Sequence, residues 1–334
     1  MAVVKGELPD RAPVSPFIMQ FAARVANVPY RDYCLYGEVL AQAQMACVKR
    51  FGYDSVNVTS DAVREYEAVG GPVAYFDEES VPAAEPMPFI QSRDDLKKLH
   101  IPDPLGPNLM AEQIKALKIL QHELPDQVVY AWVEAPFQES SILRDINYFM
   151  VDIRTDPEFA KAILKFAVEL EIEFALAQIE AGAKFMGVGD AIASLASAED
   201  YAEFNLPYLS RLVDEIKKRG VIVKYHACGR SKHMWPYIKQ LNIDILNLDS
   251  LIDFGEARAF FGDKFVLKGN VNPIEELLQA TPDVVRAASK ASFEKAGQHG
   301  KFILSPGCEV PPQTPYENLE ALIESATRYA SYKG

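Results

Sequence analysis

The sequence predicts an α/β chain folded as a (β/α)8 TIM barrel. Eight short, nearly continuously apolar runs alternate with longer stretches whose apolar residues recur at helical spacing. Strands buried on both faces read this way, and their alternation with helices favours a closed parallel barrel. The alternative is an open doubly wound sheet. No GxGxxG follows the first strand, so a dinucleotide site has no support.

The expected strands are 14–19 (VSPFIM), 54–59 (DSVNVT), 128–133 (VVYAWV), 184–189 (KFMGVG), 221–226 (VIVKYH), 244–248 (DILNL), 264–269 (KFVLKG) and 301–305 (KFILS). Helical patterns lie between them. One runs over 30–52 and stops on Gly52, a second opens on Asp156-Pro157 and closes on Gly182, and a third closes on Gly220. The last begins Thr314-Pro315, where Thr314 can cap and Pro315 can take the first helical position. The stretch from about 66 to 127 is long for one connection and holds a run rich in proline and acidic residues. It is expected to be an inserted excursion, a small hairpin over one barrel face, on a single domain spanning 1–334.

Composition narrows the function classes. Hydrophobic residues make up 49% of the 334, enough for a large core without staples. No run of eighteen apolar residues and no apolar leader region occur, so a cytoplasmic protein is expected. Lys and Arg number 34 against 47 Asp and Glu, a net charge of −13, which argues against nucleic acid or an anionic membrane as partner. The four cysteines, Cys34, Cys47, Cys228 and Cys308, have no disulfide-framework spacing. A reducing compartment leaves their thiolates free to bind metal.

The sharpest chemical signal is Tyr225-His226-Ala227-Cys228-Gly229, at the end of the strand 221–226. Residues i and i+2 of a strand share a face, so His226 and Cys228 can aim together at the barrel mouth. Cys308 follows the strand 301–305 directly. One imidazole and two thiolates suit Zn²⁺, and three protein ligands leave a position open for substrate. Neither a zinc deaminase pattern nor HExxH is present. Glu134 and Asp190 each end a strand and are candidate catalytic carboxylates, the latter also a partner for a ligating histidine. Asn57, Phe17, Phe21 and Phe137 are candidate substrate contacts, the aromatic ones favouring a flat aromatic substrate. Asn247, Asp249 and Asn270 read as loop and turn residues.

At these residues the chain resembles the uroporphyrinogen decarboxylase superfamily, and within it the zinc-dependent, corrinoid-linked methyltransferases. The resemblance rests on His226-Ala227-Cys228-Gly229, on Gly269-Asn270-Val271-Asn272-Pro273, and on Gly307-Cys308 followed by Pro311-Pro312-Gln313-Thr314-Pro315-Tyr316-Glu317-Asn318-Leu319. It implies a (β/α)8 barrel in which His226, Cys228 and Cys308 bind zinc. It also implies methyl transfer to or from cobalamin. Since the chain has no DxHxxG-type cobalamin motif, a partner corrinoid protein would carry that cofactor.

Two departures separate the branches. The decarboxylases carry an arginine-rich MRQAGR stretch; here the matching segment is Met19-Gln20-Phe21-Ala22-Ala23-Arg24, with one arginine missing. They also carry GHG where this chain has Gly307-Cys308-Glu309. Asp61 matches the decarboxylases' substrate-binding aspartate. The expectation is therefore a corrinoid-linked methyltransferase, with the aromatic residues favouring O-demethylation of a methoxylated aromatic. Methylation of a thiol of the coenzyme M type, uroporphyrinogen decarboxylation and a non-catalytic binding role stand as alternatives, and homo-oligomerisation is open.

Overall fold

In the computed structural model, residues 2–75 and 79–332 are described. Seven strands form one curled, all-parallel sheet: β1 Ser55–Asn57, β2 Val128–Glu134, β3 Phe185–Asp190, β4 Ile222–Ala227, β5 Ile245–Leu248, β6 Val266–Val271 and β7 Phe302–Pro306. They are hydrogen-bonded in chain order from β1 to β7. Every residue of β3, β5 and β7 is buried, so these strands are covered on both faces as their apolar sequences demand.

The expected first strand, 14–19, is not a strand. Pro13 and Pro16 remove backbone donors from it, which breaks a ladder. Sparse contacts remain: isolated parallel bridges join Val14 to Leu304 and Phe17 to Glu309, and Asp54 N–H donates to the Val14 carbonyl. Those contacts join the two edges of the sheet.

The principal helices are α1 Gly37–Phe51, α2 Leu109–Glu123, α3 Pro136–Arg144, α4 Pro157–Glu180, α5 Leu206–Lys217, α6 Phe254–Phe261, α7 Pro282–Ala296 and α8 Tyr316–Tyr329. Two sequence expectations need correction. The helical pattern 30–52 is split into Tyr30–Leu35 and Gly37–Phe51. Thr314 does not cap α8: Pro315 holds the N-cap position, and the buried Thr314 hydroxyl has no partner among the described residues. The stretch 66–127 is also not one excursion. Its last part is α2, the crossover helix between β1 and β2. Ahead of α2, a hairpin pairs Val73–Ala74 with Ala83–Ala84, and residues 76–78 lie outside the described residues.

The N-terminal end of the sheet is sealed by Val3, Tyr130, Phe185, Ile245, Val266 and Ile303. The C-terminal ends carry the polar groups described next. Among the described residues, no helix is long and apolar enough to cross a membrane.

Candidate metal centre

His226 lies near the C-terminal end of β4 and Cys228 one residue beyond it, so strand alternation puts both on the inner face. Cys308 follows β7. The potential ligand atoms of these three residues lie within 4.8 Å of one another, with Cys308 Sγ 3.9 Å from His226 Nε2. His226 is buried, and its Nδ1 has no partner among the described residues. The thiols influence each other. Hydrogen bonding from Cys228, with His226 beside it, holds Cys308 low, and the same contact raises Cys228, next to Asp249. Asp249 Oδ2 accepts from the Cys228 thiol at 3.5 Å and from Gly229 N–H at 3.0 Å, fixing the turn that presents the cysteine.

The triad opens on a cavity of about 230 Å³. Phe17, Trp132 and Met19 supply apolar wall, and Asp61, Glu134, Asp190 and Glu309 supply carboxyl groups. Phe17 stacks on Trp132 at 5.0 Å and on the His226 ring at 6.4 Å. Glu134, Gly189 and His226 stand in one row across β2, β3 and β4. A Cβ on Gly189 would come within 2.7 Å of Glu134 Oε2 and 2.8 Å of the Trp132 ring, so glycine is required for both side chains to lie over β3. Glu134 Oε1 accepts from Trp132 Nε1 at 2.8 Å. Burial and the nearby Glu65 push the Glu134 carboxyl well above the usual range.

Asp190 is fully buried, and burial pushes it up to about 6 against hydrogen bonds from Asn205 and Tyr225. Its Oδ2 accepts from Asn205 at 2.7 Å and from the Tyr225 hydroxyl at 2.8 Å, while Oδ1 has no side-chain partner among the described residues. Asp61 Oδ1 accepts from Val63 N–H at 3.0 Å, and Oδ2 lies 3.5 Å from the buried Arg64 guanidinium.

The family model for uroporphyrinogen decarboxylase (URO-D) matches residues 1–329. The chain belongs to that family. A uroporphyrinogen decarboxylase from Myxococcus xanthus is 27% identical over 327 residues, covering 94% of this chain and 89% of the relative. The methylcobamide:CoM methyltransferase MtbA of Methanosarcina mazei is 27% identical over 281 residues, covering 83% and 80%. Among solved structures, a methyltransferase from Methanosarcina mazei superposes with a TM-score of 0.89 at 22% identity, covering 98% of this chain and 97% of that one. That likeness establishes the shared fold.

Within this URO-D chain, the cavity brings together His226, Cys228, Cys308, Glu134, Asp190, Asp61 and Phe17. Three expected substrate contacts lie elsewhere. Phe21 is enclosed by Phe51 and Tyr316, at 5.7 Å from each ring. Phe137 packs edge-on against Phe149 at 5.2 Å. Asn57 Nδ2 donates to the Ile18 carbonyl and Oδ1 accepts from Thr59 N–H, so its amide holds backbone in place. Asn270, expected in a turn, lies on β6 instead, where its side chain holds the next loop by donating to the carbonyls of Asp249 and Ile252.

Sequence reading missed Trp132 and Glu309. Both had a signal: Trp132 stands two residues before Glu134 on one strand face, and Glu309 directly follows Cys308. Burial pushes Glu309 up to about 7. Lys224, two residues before His226, was also missed. Its Nζ lies 4.2 Å from the Tyr130 ring and 4.7 Å from that of Trp132, and burial beside Lys268 lowers it well below the usual lysine range.

Proposed function

We infer that this chain is a cytoplasmic zinc enzyme that moves a methyl group between a small substrate and the cobalamin of a separate corrinoid protein. Its scaffold is read as one (β/α)8 domain in which 13–17 takes the place of the eighth strand. The carrying observation is the convergence of one imidazole and two thiols within 4.8 Å beside a cavity.

The donor set fits zinc. Tetrahedral Zn²⁺ with bonds of about 2.0–2.3 Å spaces its N and S ligands about 3.5–3.8 Å apart. The 3.9 Å between Cys308 Sγ and His226 Nε2 is close to that. With His226, Cys228 and Cys308 as ligands, zinc would supply a Lewis acid with an open fourth position. The remaining work falls to the protein. Phe17, Trp132 and Met19 exclude water and offer a flat surface to a ring. Glu134, kept protonated by burial, is placed to donate to a leaving oxygen. Asp190 Oδ1, one strand away from the unpartnered His226 Nδ1, is the group to orient that ring.

This arrangement supports O-demethylation of a methoxylated aromatic over methylation of a thiol, because an aromatic wall and a protonated carboxyl serve an ether better. Uroporphyrinogen decarboxylation is the weaker reading. Pockets that enclose drug-sized ligands measure about 300–1,000 Å³. This cavity of about 230 Å³ falls below them, and a tetrapyrrole is larger than most such ligands. The test mixes zinc-loaded protein with cob(I)alamin and a panel of methoxyarenes, methylamines, methanol and thiols, following methylcobalamin absorbance in both directions. Methylcobalamin formed from a methoxyarene is expected; decarboxylation of uroporphyrinogen by metal-free protein would overturn the reading.

A further inference from the structure

Two leucines stand in water beside the metal centre. Leu195, 63% exposed, ends the turn Ala193–Leu195 after β3, and Leu251, 52% exposed, lies in the loop after β5. Each follows a serine that packs against a glycine adjoining one of the triad cysteines. Ser194 lies against Gly229, which follows Cys228, and Ser250 lies against Gly307, which precedes Cys308. A Cβ on either glycine would collide with its serine, so both contacts are tight. The two leucine-bearing turns are also pinned. Asp249, which holds the Cys228 turn, accepts from Leu251 N–H at 2.9 Å. On the other turn, Leu195 N–H donates to the Ile192 carbonyl at 2.9 Å, and Gln138 Oε1 accepts from Ile192 N–H at 3.2 Å. His233 donates to the Ala196 carbonyl at 2.9 Å.

Single exposed leucines are ordinary on a protein surface. This pair differs because both are tied to the turns that present the two thiols, and because Val81 and Met19 continue apolar surface down into the cavity. The size of the cavity says what can rest on them. Methyl transfer needs the reacting atoms about 3–3.5 Å apart, so cobalt has to approach the triad closely. A corrin with its side chains is larger than the drug-sized ligands that pockets of about 300–1,000 Å³ enclose, and this cavity measures about 230 Å³. The ring therefore stays at the mouth while its methyl axis points inward. Its edge, rich in methyl and methylene groups, then lies over the residues that flank the cysteine turns.

We propose that Leu195 and Leu251 form an apolar seat for the corrin ring that the partner protein carries, placing its cobalt over the triad. The inference rests on the methyltransferase reading and deepens it by naming the surface the corrin meets. It does not depend on the methyl donor or on the direction of transfer.

Calorimetric titration of free methylcobalamin into zinc-loaded protein tests it. Leu195→Ser and Leu251→Ser are compared with the parent and with Leu8→Ser. Leu8 is 60% exposed at the opposite end of the sheet, against Gly300 just before β7. Circular dichroism and zinc content are expected to be the same in all four proteins. Methylcobalamin is expected to bind the parent and Leu8→Ser alike, and each mouth variant about three- to tenfold more weakly, as burial of a leucine side chain is lost. No saturable binding to the parent, unchanged binding in both mouth variants, or equal weakening in Leu8→Ser overturns the proposal. Sedimentation of the same proteins covers the other occupant, a second copy of this chain: a parent dimer that the mouth variants dissociate, with methylcobalamin affinity unchanged, also overturns it. Methyl transfer is measured separately. Leucine-dependent binding without any methyl transfer would leave this inference standing and sink the proposed function; methyl transfer at parental rate and affinity in both mouth variants would do the reverse.

Discussion

At the N-terminal ends of the strands, Val3, Tyr130, Phe185, Ile245, Val266 and Ile303 close the sheet with apolar contacts. At the C-terminal ends stand an imidazole, two thiols and four carboxyl groups, with His226 Nδ1 and Asp190 Oδ1 lacking hydrogen-bond partners among the described residues. The strands are the same, but one end closes with apolar side chains and the other gathers titratable groups. Such a gathering at the C-terminal ends of barrel strands marks where the fold accommodates function. Between the two ends lies Trp132, with Glu134 on its indole N–H and Lys224 against its ring. The buried amine and the buried acids therefore do not neutralise each other by direct pairing.

Mutations should separate the two ends. Cys308→Ala is expected to reduce methyl transfer to below about a thousandth, as loss of a zinc ligand removes the Lewis acid. Its thermal stability without metal should stay near that of the metal-free parent. Phe185→Ala at the sealed end should do the opposite. It is expected to cost about 3–5 kcal/mol in denaturant unfolding while zinc stoichiometry in the folded protein is unchanged. A loss of zinc binding in that variant would break the division between ends.

Smaller effects sharpen it. Asp190→Asn should weaken zinc affinity about 10–100-fold, read by chelator competition. Unchanged affinity would remove Asp190 as the group that orients His226. Glu139→Gln tests the buried acids by pH. Burial, with Glu65 and Glu134 nearby, raises the Glu139 carboxyl well above its ordinary value. The folded state therefore binds a proton that the unfolded state has released, and this contribution to stability is present below about pH 4 and lost as pH rises through the folded value. Glu139→Gln should match the parent in acid and become the more stable form as pH rises through the folded value. A difference between the two that does not vary with pH would contradict that account.

Much of this was legible before the structure. Seven strands were readable because burial on both faces leaves continuous apolar runs, and His226 with Cys228 was readable because alternation fixes their common face. The expected first strand, 14–19, failed at Pro16, where composition looked strand-like but a donor was absent. Phe21 and Phe137 show the limit of counting aromatics: proximity to a strand end does not say whether a ring meets the cavity or its own helix neighbours. Trp132 and Lys224 could have been found by carrying the two-residue period one step back from Glu134 and His226. The Glu65, Glu139 and Glu171 group could not. These residues come from three helices brought together only by tertiary packing, and nothing local in the sequence joins them.

The central claim is that His226, Cys228 and Cys308 jointly hold one zinc ion. Metal analysis of the purified parent, His226→Ala and Cys308→Ala proteins after dialysis against a mild chelator addresses it directly. One zinc per chain in the parent and almost none in either folded variant is the predicted result. Full zinc occupancy in both variants would contradict it.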